Sequence, residues 1–139
     1  MTGADIVGAL LRADADLLAL VPVSRIKAKR LPPGTALPAL LVRVVSVVDR
    51  QPLTLGEFVR RTDRVAVTVR AGSGDDQDAI IELVRAICAG RTGAIAGAIN
   101  VSIRTSGLGP DLNGPGDSFE QTQDLRVSFD APLSQGDQP

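Results

Sequence analysis

Hydrophobic positions recur with helical spacing in two stretches of the chain. Between residues 3 and 20, Ile6, Val7, Leu10, Leu11, Leu17 and Leu18 fall three and four residues apart, the spacing that gathers side chains on one face of a helix. Thr2 precedes this stretch and Asp5 stands three residues further on, a variant of the capping box. Pro22 ends it, because the residue before a proline is pushed out of the helical region. The second stretch opens on Asp75-Asp76-Gln77-Asp78, whose carboxylates suit the positive end of a helix dipole. It continues with Ile80, Leu83, Val84 and Ile87 on one stripe, Ile81 and Cys88 beside it, and Gly90 placed to cap its end.

Other stretches alternate. Val65, Val67 and Val69 are separated by Ala66 and Thr68 and flanked by Arg64 and Arg70. Ile99, Val101 and Ile103 alternate with Asn100, Ser102 and Arg104, and Leu125, Val127 and Phe129 with Arg126, Ser128 and Asp130. Each reads as a half-buried strand. The run from Leu40 to Val48 is different: only Arg43 and Ser46 interrupt its apolar residues. Such a run fits a strand covered on both faces, or one with a face buried by a neighbouring subunit. Arg25-Ile26-Lys27-Ala28 reads as a short edge strand whose cations discourage further pairing.

Between these elements, residues 24–37 are a connection, turned at Pro32-Pro33-Gly34. Residues 49–61 and 107–117, with their glycines and prolines, read as long loops. Gly90, Gly93 and Gly97 mark a further connection. The expected product is a single α+β domain over residues 1–132: a mostly antiparallel sheet of four to five strands with two helices packed on one face. Residues 133–139 are expected to form a disordered tail.

Composition narrows the chemistry. Hydrophobic residues make up 44% of the 139 and aromatic residues 2%, so the core must be aliphatic. Histidine and tryptophan are absent and Cys88 is alone. That excludes an internal disulfide and a cysteine metal cage, and it removes the usual acid–base and zinc chemistry. A serine or threonine nucleophile has no histidine base beside it. Asp111, Asn113 and Asp117 lack calcium-loop spacing and read as turn formers, and Cys88 reads as a small buried hydrophobe. No enzyme, cofactor or metal site is expected. No apolar run approaches the roughly 20 residues that span a bilayer, and with Asp5 and no basic leader the N-terminus does not read as a signal peptide. Synthesis in the cytoplasm and no membrane partner follow as expectations.

The net charge is −1, from 15 basic and 16 acidic residues, too balanced for a DNA-coating protein. The charges are unevenly placed, however. Arg25, Lys27, Lys29 and Arg30 form one basic cluster, and Arg60, Arg61 and Arg64 another. Asp75, Asp76 and Asp78 form an acidic group, with Asp14 and Asp16 a smaller one. Opposed patches suit a self-associating surface, though ordinary solvated faces give the same pattern. With no aromatic side chains grouped near the basic clusters to stack bases, sequence-specific nucleic-acid reading is not expected.

The segment order and its local texture resemble a known family. Leu-Leu-Arg-Ala-Asp-Ala-Asp from Leu10 to Asp16 leads to Leu-Val-Pro at Leu20 to Pro22. Arg25-Ile26, a proline turn and Leu-Pro-Ala-Leu-Leu-Val from Leu37 to Val42 follow. A valine-rich strand from Arg64 to Arg70 precedes the second helix, and a last strand ends near Phe129. This layout is similar to the tail-completion or tail-terminator proteins of long-tailed phages and gene transfer agents. The resemblance implies a structural protein whose subunits form a ring, typically a hexamer. The ring caps the head-proximal end of the tail tube, stops its polymerisation and joins tail to head. It implies as partners other copies of the chain, the tail tube protein and a head connector or stopper, with sequence-blind contact to DNA passing through the lumen. Its place is the head–tail junction of the finished particle. Arg60, Arg61 and Arg64, then Arg25, Lys27 and Lys29, are the candidates for subunit-interface or lumen contacts, and the loops 49–61 and 107–117 for contact arms that order on assembly. The alternatives are a head-side connector or a stand-alone nucleic-acid or protein-binding module.

Overall fold

The computed structural model describes residues 1–50 and 56–132. The chain runs through α1 (Gly3–Arg12), α2 (Ala15–Leu20), β1 (Ile26–Ala28), β2 (Ala39–Arg50), β3 (Phe58–Ala71), α3 (Gly74–Cys88), β4 (Thr92–Ile95), β5 (Ala98–Leu108), β6 (Leu112–Asn113) and β7 (Phe119–Pro132). The class is α+β, as expected. The seven-stranded sheet has the order β1-β2-β3-β7-β5-β4, with β6 pairing the start of β7. Every pairing is antiparallel except β1 with β2.

The first helical stretch is two helices rather than one. Thr2 and Asp5 form the capping box at the start of α1. Asp14 then accepts a hydrogen bond from the Leu17 backbone N–H at 2.9 Å and caps α2. An aspartate that satisfies a free N–H competes with continuation of the helix, so the chain turns there while Leu17 remains buried. Ser73 caps α3 in the same way, and Gly90 follows its end with φ of 75°.

The sheet holds more strands than the four to five expected, because two stretches read as connections contain strands of their own, and a third lengthens the strands beside it. Residues 49–50 and 58–61 continue β2 and β3 as a hairpin, with Asp49 opposite Arg61 and Arg50 opposite Arg60. Residues 51–55 of that segment lie outside the described residues, as does the tail 133–139. The Gly93–Gly97 stretch forms the β4–β5 hairpin. Its turn residues Ala96 and Gly97 both have positive φ, the twist that matches two antiparallel strands. The 107–117 loop is held to its own sheet: β6 pairs β7, Gln121 donates to the Gly109 carbonyl, and the Gln77 amide donates to Asp111.

The core is one cluster between the helices and one face of the sheet. Ile6, Val7, Leu11, Leu17, Ile80, Val84 and Ile87 pack on Leu40, Val42, Val65, Val67, Val69, Ile103, Leu125, Val127 and Phe129. The strand residues alternate, so their intervening neighbours stand on the opposite face. The Leu40–Val48 run lacks alternation because of a bulge between Val44 and Ser46, which resets the side-chain phase. From the bulge onward the strand is not covered by its own chain: Val45 at the bulge and Val47 and Val48 beyond it are exposed, and β1 pairs only with Leu40, Leu41 and Val42.

Candidate assembly surface

The face of the sheet opposite the helices is polar and carries ordered rows of side chains. On β3, Arg60, Thr62, Arg64, Thr68 and Arg70 lie on it; on β7 the matching residues are Asp130, Ser128, Arg126, Thr122 and Glu120. Most cross-strand pairs are complementary. Arg70 pairs with Glu120 at 2.5 Å, Thr68 with Thr122 at 2.9 Å and Thr62 with Ser128 at 2.8 Å. Arg60 donates to Asp130 at 3.1 Å and to the Asn100 carbonyl at 2.6 Å. The Asn100 amide donates to Asp130 as well. That bond, with Arg60 behind it, holds the Asp130 carboxyl below its ordinary range.

Two places break the rule: Arg50 stands opposite Arg60, which Asp130 relieves, and one row sets arginine against arginine across three strands. Arg64 stands opposite Arg126 on β7, and Arg126 stands opposite Arg104 on β5, so three arginines lie side by side across three strands. Like charges in directly opposed positions repel. Arg64 is relieved by Asp124 at 2.5 Å. Arg104 and Arg126 are exposed and have no carboxylate partner among the described residues. Together with Arg50, Arg60, Ser46, Val48, Thr62, Ser102 and Ser128 they line a shallow depression of about 610 Å³.

The six residues singled out from sequence divide among three places. Arg60 and Arg64 lie on this open face. Arg61, one residue on, points to the helix side, where it makes a two-point contact with Asp63 at 2.6 and 2.9 Å and lies 5.6 Å from the centre of the Phe129 ring. The hydrogen bonds to Asp63 push the Arg61 pKa further up. Asp63 is fully buried and also accepts from the Gly3 N–H at 2.7 Å, tying the start of α1 to the middle of the sheet. Arg25 donates to the Leu37 carbonyl at 3.2 Å, and Lys27 lies on β1 opposite Leu41, which in turn faces Thr68. Lys29 is exposed, with φ of 68°. Thr68 is four residues from Arg64, about 13 Å along the strand, so the two basic clusters stand at opposite ends of the sheet.

Arg104, Arg126 and Arg50 were not singled out from sequence. The only sign was their position as polar members of alternating strands. Their juxtaposition depends on register between segments far apart in the chain, which no local pattern carries.

The opposite side of the molecule is acidic. The helical segments Gly3–Leu20 and Gly74–Cys88 carry Asp5, Asp14, Asp16, Asp75, Asp76, Asp78 and Glu82 against Arg12 and Arg85. No group of three or more His, Cys, Asp or Glu side chains able to hold a metal occurs among the described residues. No described helix is long and apolar enough to cross a membrane. Cys88 is buried, which pushes its thiol up to about 12.

A helix-backed sheet with an open, charged face offers a broad surface suited to binding and assembly. The family model for tail completion protein gp17 matches residues 6–128, and the chain belongs to that family, which makes it a structural component of phage-type tails. Among solved structures, a chain in the virion of a native gene transfer agent particle has the same fold. Its TM-score is 0.70 at 17% identity, and the match covers 93% of this chain and 95% of that one. No curated protein matches.

Proposed function

We propose that this chain is a tail terminator. Copies join into a ring, a hexamer by family resemblance, on the head-proximal end of the tail tube. There the ring stops tube growth and presents a surface to the head connector. The fold supports the reading through one observation: its two broad faces differ in kind, one a helix layer rich in carboxylates and the other an open sheet face rich in arginines. Such a subunit makes heterologous contacts, which close into a ring when the rotation between neighbours permits. A ring with dissimilar ends accepts the last tube ring on one end and offers no tube-like surface on the other.

In this account Arg60 and Arg64 belong to the subunit contact. Arg61 acts through Asp63 to hold α1 on the sheet. Arg25, Lys27 and Lys29 at the other end of the sheet are placed for the tube, the connector or the phosphates of passing DNA. The test is polymerisation of purified tail tube protein with and without this chain, with tube lengths measured by electron microscopy. Substoichiometric chain shortens the tubes and occupies one end. Unchanged lengths with no end-bound density would reject the reading.

A further inference from the structure

We infer that the arginine row Arg64–Arg126–Arg104 is the socket for the acidic outer stripe of α3 from a second copy of this chain. The inference rests on the ring reading above and names the contact that would build the ring. Three observations carry it.

The first is the repulsion built into the row. Arg126 faces Arg104 in register, both exposed and without a carboxylate partner among the described residues. On the same face the neighbouring pairs Arg60–Asp130 and Arg70–Glu120 are complementary. Arg50 also stands opposite an arginine, but Arg60 there has Asp130; at Arg104 and Arg126 both members of the pair lack a carboxylate, and the row asks for one from outside.

The second is that the chain carries such carboxylates in a matching spacing. Asp75, Asp78 and Glu82 are exposed on α3 and take part in no ion pair among the described residues. Positions three and four apart share a helix face, here rising about 4.5 Å and then about 6 Å along the axis. Neighbouring strands step by about 4.8 Å. A helix laid across the strands thus brings Asp78 and Glu82 over Arg126 and Arg104, with Asp75 toward Arg64. Ala79 and Ala86, also exposed on α3, add little bulk to that surface.

The third is topological. Socket and stripe lie on opposite faces of one sheet, so a chain cannot satisfy its own row. The contact is head-to-tail by necessity, the type that a ring requires. Arginine suits the role because its planar fork takes a carboxylate at two points.

Two double variants test this: Arg104→Glu with Arg126→Glu, and Asp78→Lys with Glu82→Lys. All four positions are exposed, so both variants keep the circular dichroism spectrum of the parent. Alone, each weakens self-association in native mass spectrometry by about a hundredfold, through like charges meeting at the contact. Mixed in equal amounts they assemble again. The acidic face of one meets the basic helix of the other, and the remaining contact in each pair keeps its original charges. Rings in the mixture hold equal numbers of the two variants. Should either variant fold poorly, the neutral pairs Arg104→Gln with Arg126→Gln and Asp78→Asn with Glu82→Asn replace them, each weakening association by about tenfold. Variants that assemble like the parent, or a mixture that stays apart, overturn the contact while leaving the ring reading intact. A parent chain that stays monomeric overturns the contact too, and the tube-length assay then judges the terminator reading separately. Normal assembly with loss of double-stranded DNA binding in the arginine variant would assign the row to phosphates instead.

Discussion

Arg104 and Arg126 stand directly opposite each other on β5 and β7, exposed and with no carboxylate between them among the described residues. Like charges so placed disfavour the isolated chain. Replacing Arg126 by glutamine relieves the repulsion. The isolated chain is expected to keep its stability or gain about 0.2–1 kcal/mol in urea unfolding, while self-association weakens. A clear loss of stability would mean that the row is held by contacts within the chain.

The link from Gly3 to Asp63 makes a different prediction. A Cβ added at Gly3 would lie 2.8 Å from the Asp63 Cβ and 3.0 Å from a Val65 methyl. Gly3→Ala should therefore destabilise by about 1–3 kcal/mol through overpacking. Asp63→Ala removes the partner of both Arg61 and the Gly3 N–H, and should cost more, about 3–5 kcal/mol. Thermal and urea unfolding of the two variants check the order.

Much of this framework was legible in the sequence, for reasons that can be named. Val65, Val67 and Val69, or Leu125, Val127 and Phe129, alternate because one face meets the helices and the other does not. The stripe of α3 and its cap follow from short-range spacing. The Asp14 break leaves no mark in the pattern, because the apolar stripe continues across it and only the cap geometry ends α1. The valine-rich run suggests a strand covered on both faces, or by a neighbouring subunit, because a bulge mimics a doubly apolar strand. The arginine row was out of reach for a stronger reason: it joins residues 64, 104 and 126, and register over such separations is set by the whole sheet.

The two halves of β2 should respond differently to mutation. Val42 is 2% exposed within the core, whereas Val45 is 52% exposed at the bulge. Val42→Ala should cost about 2 kcal/mol, and Val45→Ala within about 0.5 kcal/mol. Equal losses by urea unfolding would show that the outer half of β2 is covered in the isolated chain.

Two titrating groups set pH limits of opposite sign. The Asp130 carboxyl is lowered, first by the Asn100 amide and then by Arg60. Its contribution to stability is present above the unfolded value and is lost as pH falls through the folded one. Asn100→Gly, chosen because Asn100 has φ of 52°, should raise that carboxyl in an NMR titration and move acid unfolding to higher pH. Cys88 behaves in the reverse sense. Burial raises its thiol from 9.0 to about 12, so stability is complete below the lower value and declines between the two as the unfolded chain ionises first. At pH 8 the native thiol should resist a disulfide reagent that labels the unfolded chain within minutes.

A terminator occupies one place: a single ring at the end of the tail tube nearest the head. Cryo-electron microscopy of particles carrying this chain with a small added tag tests it most directly. Tag density is expected in a single layer at the head–tail junction, with the helix layer of each subunit seated on the sheet face of the next. Tag density repeated along the tube, or confined to the tip far from the head, would contradict it.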